Sequence, residues 1–201
     1  MRATPAHLVG ALLLVTCGEA PDADTQGAGS STGELAAPDG YYLPIACGVT
    51  AKVGQGNDSD FSHNGDLRHA FDILIDLDTP VHAMAEGVVR EIYADNEPGD
   101  PCHDGGDEAC RPFANFVMLF HGDGTTSIYK HLNTVQVAPG ARVARGAVLG
   151  LSGSTGWSTR PHVHVMRMGD CGSSDCPSIP LEFVEAGVPA TGDLVTSKNC
   201  P

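Results

Sequence analysis

Positive charge is scarce in this chain. Eleven lysines and arginines stand against 25 aspartates and glutamates, for a formal net charge of −14. Nucleic-acid binding needs a basic footprint, so the composition argues against it. It argues equally against simple electrostatic capture of anionic polymers, and the acidity is mainly a statement about solubility. Lysine is limited to Lys52, Lys130 and Lys198. None sits at a β-turn, so the PGARVARGAVLG segment (139–150) is not a biotinyl- or lipoyl-type carrier hairpin. Long apolar runs are also missing. The one from Leu8 to Val15 is too short to span a bilayer as a stable helix. Closely spaced cysteine pairs of the structural-zinc kind are absent. No window carries a convincing helical period, which removes helical bundles from consideration.

What is present begins with an export signal. Met1-Arg2, the short apolar run and a small residue before Cys17 have that form. Leu14-Val15-Thr16-Cys17 resembles a bacterial lipobox, with Thr16 a departure from the usual Gly, Ala or Ser. The expectation is a lipid on Cys17 of an exported chain, with plain secretion the alternative. Residues 18–40 have almost no large apolar side chains and read as a flexible linker, with the folded domain at 41–201. Exported chains keep disulfides. The six remaining cysteines allow fifteen pairings. Proximity favours Cys102 with Cys110 and Cys171 with Cys176, leaving Cys47 with Cys200.

From Tyr41 onward the signals are strands and turns. Strands are expected at 70–75, 81–84, 87–94, 115–120, 125–131 and 162–168, with short ones around Val143 and Val148-Leu149. Asp123-Gly124 between two alternating runs marks a hairpin. The polar stretch from Asp95 to Arg111 reads as a loop. The predicted fold class is all-β, an antiparallel sandwich or open barrel with long loops.

In Pro161-His162-Val163-His164-Val165-Met166 a strand's period of two puts His162 and His164 on one face. Paired imidazoles need hydrogen-bond partners or a metal. Asp72, His131 and one of His63 or His69 complete a set able to hold a zinc ion with an open position. The bland readings are a solvated strand face for the pair, a core role for His82, a solvated His103 and a structural His121. Trp157 and Tyr129 suit either a groove or packing. Asp95, Asp100, Asp104 and Asp107 lack an ordered calcium-loop pattern and read as a solvated loop.

These residues carry a resemblance. Ser62-His63 … Ala70-Phe71-Asp72, Asn115-Phe116-Val117, Tyr129-Lys130-His131-Leu132, the segment 138–150, Gly153 to Thr159 and Pro161-His162-Val163-His164 follow one another in order. Over about residues 43–168 the chain resembles the lysostaphin-like (LytM-type) zinc metalloendopeptidases. That resemblance implies zinc on His63, Asp72 and His164, His162 as general base, and His131 orienting water or stabilising the oxyanion. It implies peptide-bond hydrolysis in bacterial peptidoglycan, and with the export signal the expectation is a monomer of the cell envelope or a secreted one. His63 and Asp72 are nine residues apart, a longer loop than is commonest in the family, so His69 stays open as the competing ligand. Asp76 and Asp78 replace the usual Pro and Gly, and 95–111 is an insertion that could wall the groove. The rival reading is a family member that kept the fold, lost the chemistry and serves as a wall-binding or amidase-activating protein.

Overall fold

The computed structural model describes residues 34–201. The expected signal, the Cys17 lipid site and most of the linker lie outside the described residues. Alternation of apolar and polar side chains builds twelve strands: β1 (Thr50–Gln55), β2 (Phe71–Leu74), β3 (Pro80–His82), β4 (Gly87–Tyr93), β5 (Phe116–Phe120), β6 (Thr125–Lys130), β7 (Leu132–Val135), β8 (Arg142–Val143), β9 (Val148–Ser152), β10 (Val163–Gly169), β11 (Ser178–Ile179) and β12 (Leu194–Thr196). The main sheet runs β12-β1-β2-β10-β6-β5-β4-β8, with β11 on β10, and a smaller sheet runs β3-β9-β7. The ladders between these strands are antiparallel. Helical structure among the described residues is limited to two short 3₁₀ turns, Gly65–Leu67 and Glu108–Phe113. The all-β expectation holds. The run expected at 125–131 is β6, ending before His131, while β1, β7, β11 and β12 went unread. β11 and β12 span only two and three residues, too little for a pattern to register.

Both faces of the main sheet are occupied. Phe71 and Ile73 of β2, Val163 and Val165 of β10 and Tyr129 of β6 point into the larger core, fully buried. The other face carries a second cluster of Ala70, Phe116, Met118, Ile128, Met166, Met168 and Cys176. Register aligns one row across that second face. Gln55 lies opposite Asp72, Asp72 opposite His164, His164 opposite Lys130, and Lys130 opposite Phe116. Residues directly opposed in an antiparallel ladder project to the same side. Strand pairing therefore sets an acid, an imidazole and a lysine next to one another before any loop is considered.

The three disulfides are Cys47–Cys200, Cys102–Cys110 and Cys171–Cys176, as proximity suggested. The second staples the insertion, which is not the free loop its composition implies. His103 corrects the solvated reading, because it is buried, with its Nδ1 3.3 Å from the Asn96 carbonyl. Asn96 also bridges the loop, giving its amide to the carbonyls of Cys102 and Phe113.

Candidate metal centre and cleft

Asp72 and His164 meet across the β2–β10 ladder, with His164 Nδ1 2.9 Å from Asp72 Oδ1. The third group arrives from the β1–β2 loop. His63 is fully buried, and its Nδ1–H donates to the Gly56 carbonyl at 3.0 Å. A carbonyl can only accept, so Nε2 is the nitrogen left with a lone pair. That lone pair lies 3.2 Å from Asp72 Oδ1 and 3.2 Å from His164 Nδ1. His69 is not part of this group. It stands at the foot of β2, where its backbone N–H donates to Ser178 Oγ. The longer spacing lets the loop fold His63 over the strand, a reach that a residue three positions from Asp72 lacks.

A tetrahedral cation taking nitrogen at 2.0–2.1 Å needs neighbouring donors about 3.3 Å apart. The triangle here has edges of 2.9, 3.2 and 3.2 Å. Three buried acceptors at that spacing repel unless a proton or a cation lies among them. Donor chemistry and spacing therefore both fit a divalent metal. Among the described residues, this is the cluster of three or more such side chains whose ligand atoms converge.

Two further imidazoles border it. His162 precedes β10, and its Nδ1–H donates to the Arg160 carbonyl at 2.8 Å. Its Nε2 then faces inward, 3.5 Å from Asp72 Oδ1. His131 sits between β6 and β7 with φ +69°, a left-handed backbone that is uncommon for a residue with a Cβ. That turn swings its ring against His162, with centroids 4.5 Å apart, and its Nδ1–H donates to the Thr155 carbonyl at 2.7 Å. Both rings thus present a free Nε2 lone pair.

The electrostatics follow from burial and neighbours. Burial pushes the Asp72 carboxyl up, but the adjoining imidazoles of His164, His63 and His162 outweigh it and hold the group well below the usual carboxylate range. Burial pulls His164 down to about 4 against the opposing pull of Asp72. Burial and then the fields of His162 and His164 hold His131 well below the ordinary histidine value. At neutral pH Asp72 is therefore a carboxylate, and His164 and His131 are neutral.

A cleft opens above these groups. Its floor is Asp72, His131, His162, His164 and Lys130, and its walls include Phe61, Trp157 and Arg111. Trp157 meets Phe61 with ring centroids 6.0 Å apart, so it is a cleft residue. Tyr129 is a core residue, fully buried, its hydroxyl accepting the Met84 N–H at 2.8 Å. The insertion, with residues 112–115 that follow it, forms one wall through Arg111 and Ala114. It grips the 154–158 loop: the Gly156 N–H donates to the Cys102 carbonyl at 2.8 Å and the Asn115 N–H to Thr155 Oγ1 at 3.0 Å. His82, bonded to the Gly146 carbonyl, and His121, bonded to Glu86 and Ser127, are not among the cleft residues. Sequence reasoning passed over Lys130 and Arg111. Lys130 stands inside the Tyr-Lys-His-Leu motif, but only the register with His164 reveals its face.

Comparison with known proteins agrees with this geometry. The model for Peptidase family M23 matches residues 67–175, 109 of the 201 residues, and so includes Asp72, His131, His162 and His164, with His63 just upstream. The chain is 31% identical over 137 residues to the glycyl-glycine endopeptidase ALE-1 of Staphylococcus capitis, covering 68% of this chain and 34% of that protein. It is 34% identical over 116 residues to the peptidoglycan DD-endopeptidase ShyA of Vibrio cholerae, covering 58% of this chain and 21% of that one. The chain thus spans about a third or less of the length of these curated relatives. Among solved structures, a mutant catalytic domain of the prophage-encoded M23 protein EnpA of Enterococcus faecalis superposes with a TM-score of 0.51 at 20% identity. That match covers 69% of this chain and 94% of the other, and it shows a shared fold. With the fold, the His-Asp-His cluster and the matched residues in agreement, the chain belongs to Peptidase family M23.

Proposed function

We propose that this chain is a zinc-dependent endopeptidase that hydrolyses peptide bonds in bacterial peptidoglycan. The observation that carries the reading is the convergence of His63 Nε2, Asp72 Oδ1 and His164 Nδ1 within 3.2 Å of one another, beside the free Nε2 atoms of His162 and His131. In this reading His63, Asp72 and His164 hold zinc, for which two imidazoles and a carboxylate are a suitable donor set. Zinc bound there supplies an acidified water and polarises the scissile carbonyl. His162 accepts the proton of the attacking water through Nε2 and delivers it to the departing amine, as a positioned base does. Its Nδ1–H bond to the Arg160 carbonyl keeps that lone pair aimed inward. His131 accepts from the water and orients it, because its own Nδ1–H is committed to Thr155. It becomes a donor to the oxyanion only after taking up a proton itself.

The substrate class rests on the relatives, whose names specify glycyl-glycine and peptidoglycan DD-endopeptidases. Three disulfides among the described residues support an exported chain, and the cell envelope, with a lipid on Cys17, is the compartment we propose. The convergence of His63 with Asp72 and His164, in a cleft also lined by His131 and His162, weighs against the reading of a non-catalytic activator.

Purified chain should release new amino groups from peptidoglycan. A chelator and His164→Ala should each abolish that release along with the bound zinc. His162→Ala should lower kcat by about 10²–10⁴ while zinc content, read by elemental analysis, stays at one per chain. Undiminished release after both chelation and His164→Ala would defeat the proposal.

A further inference from the structure

Lys130 and Arg111 place two cations at the cleft of a chain in which acidic side chains outnumber basic ones 25 to 11. Neither belongs to the His-Asp-His cluster or to the flanking imidazoles. Lys130 stands opposite His164 on the neighbouring strand, so its side chain leaves the sheet on the face of the cluster, about 5 Å away across the ladder. It is largely buried, with 18% of its side chain exposed. A buried ammonium needs a partner. Its charged partner is Asp175, itself 78% exposed and 3.6 Å away, a loose contact that solvent screens, and Nζ also lies 6.0 Å from the Phe116 ring centroid. Arg111 lines the same cleft, next in sequence to the Cys102–Cys110 bridge that anchors the insertion. Its charge adds to that of Lys130 instead of cancelling it. The result is two cations in a substrate cleft, beside the proposed reaction centre, with Asp175 and Glu91 the acidic groups that act on Lys130.

We propose that Lys130 and Arg111 form a carboxylate subsite that favours peptides bearing a free carboxylate beside the scissile bond over neutral glycine bridges. This rests on reading the cleft as the substrate groove of a peptidase. A carboxylate entering there displaces the exposed Asp175 from Lys130 and accepts from the guanidinium fork of Arg111, a geometry that planar group matches. The acidic stem and cross-link peptides of a cell wall have this chemistry, and a polyglycine bridge does not.

The test uses two synthetic peptides that differ only in a side-chain carboxylate or its primary amide next to the bond cleaved. Two readouts are taken on the full chain. Amine release gives kcat/KM. The fluorescence of Trp157, the one tryptophan in the chain and a wall of this cleft, gives Kd whether or not a bond breaks. The carboxylate peptide should be preferred by about 10–100-fold, the scale of a charge-assisted pair. Lys130→Gln and Arg111→Gln should each move that ratio towards one. Arg111 is exposed, so its variant keeps the test independent of any folding defect caused by replacing buried Lys130. A ratio near one in the unaltered chain overturns the subsite. So does a ratio unchanged in both variants, an equal loss for both peptides, or no fluorescence response to either. If neither peptide is cleaved, the peptidase reading fails, and the fluorescence ratio still decides the subsite.

Discussion

At His63, His131 and His162 one device recurs. Nδ1–H donates to a backbone carbonyl, of Gly56, Thr155 and Arg160 respectively, and this assigns the lone pair to Nε2. The residue types were legible in the sequence, but the tautomers were not, because the carbonyls that set them belong to unremarkable positions. His121 uses the same device for structure. Its Nδ1 is 2.7 Å from the Glu86 carbonyl and its Nε2 2.8 Å from Ser127 Oγ. Burial lowers its pKa from 6.5, against the pull of the Glu86 carbonyl. Below pH 6.5 the unfolded chain therefore takes up a proton that the folded chain resists, so stability falls as pH drops through that window. His121→Gln should cost about 1–2 kcal/mol at pH 7.5 through its imperfect fit. It should also lose less than the unaltered chain between pH 7.5 and 5. Urea midpoints at the two pH values check this, and an equal loss in both chains would contradict it.

Among the elements, β2 and β10 carry the centre and the loops complete it. Alternation in Phe71-Asp72-Ile73 and in Val163-His164-Val165 was readable, and it settled which side chains turn away from the larger core. The division at His131 was not readable, since a left-handed residue inside an apparently continuous strand leaves no periodic trace. The insertion was recognised as extra chain. Its role as a wall comes from contacts, and Gly156 makes one of the close ones. Gly156 has φ +81°, and a Cβ there would lie 2.6 Å from the Ala114 Cβ and 2.7 Å from its Cα and N. Gly156→Ala should therefore push apart the two segments that hold Thr155 and Arg111. We expect a loss of about 1–3 kcal/mol and a fall in kcat of about tenfold to a hundredfold, since small misplacements are costly in catalysis. Thermal melts and peptide assays check the pair. Unchanged kcat would show that the wall does not position His131.

In the whole molecule, the Cys47–Cys200 bridge ties β1 to the end of the chain, across a sequence separation of 153. Nearby, Asn199 gives its amide to the carbonyls of Leu43 and Ala83, joining the terminus to two other segments. Closing so long a loop removes much of the unfolded chain's freedom. Replacing both cysteines with serine should cost about 2–5 kcal/mol and lower Tm by about 5–15 °C. Differential scanning calorimetry checks this, and a shift below a degree or two would mean that the termini are held without the bridge. By itself, the sequence determined the strand class and the residue types of the centre and favoured the disulfide partners, because period-two patterning, donor chemistry and loop length are local properties. Only the tertiary structure decided that His63 and not His69 joins Asp72, which nitrogen of each imidazole is free, and that Lys130 and Arg111 share the cleft. Those outcomes depend on cross-strand register, on backbone carbonyls far away in the chain, and on a stapled loop closing over the sheet.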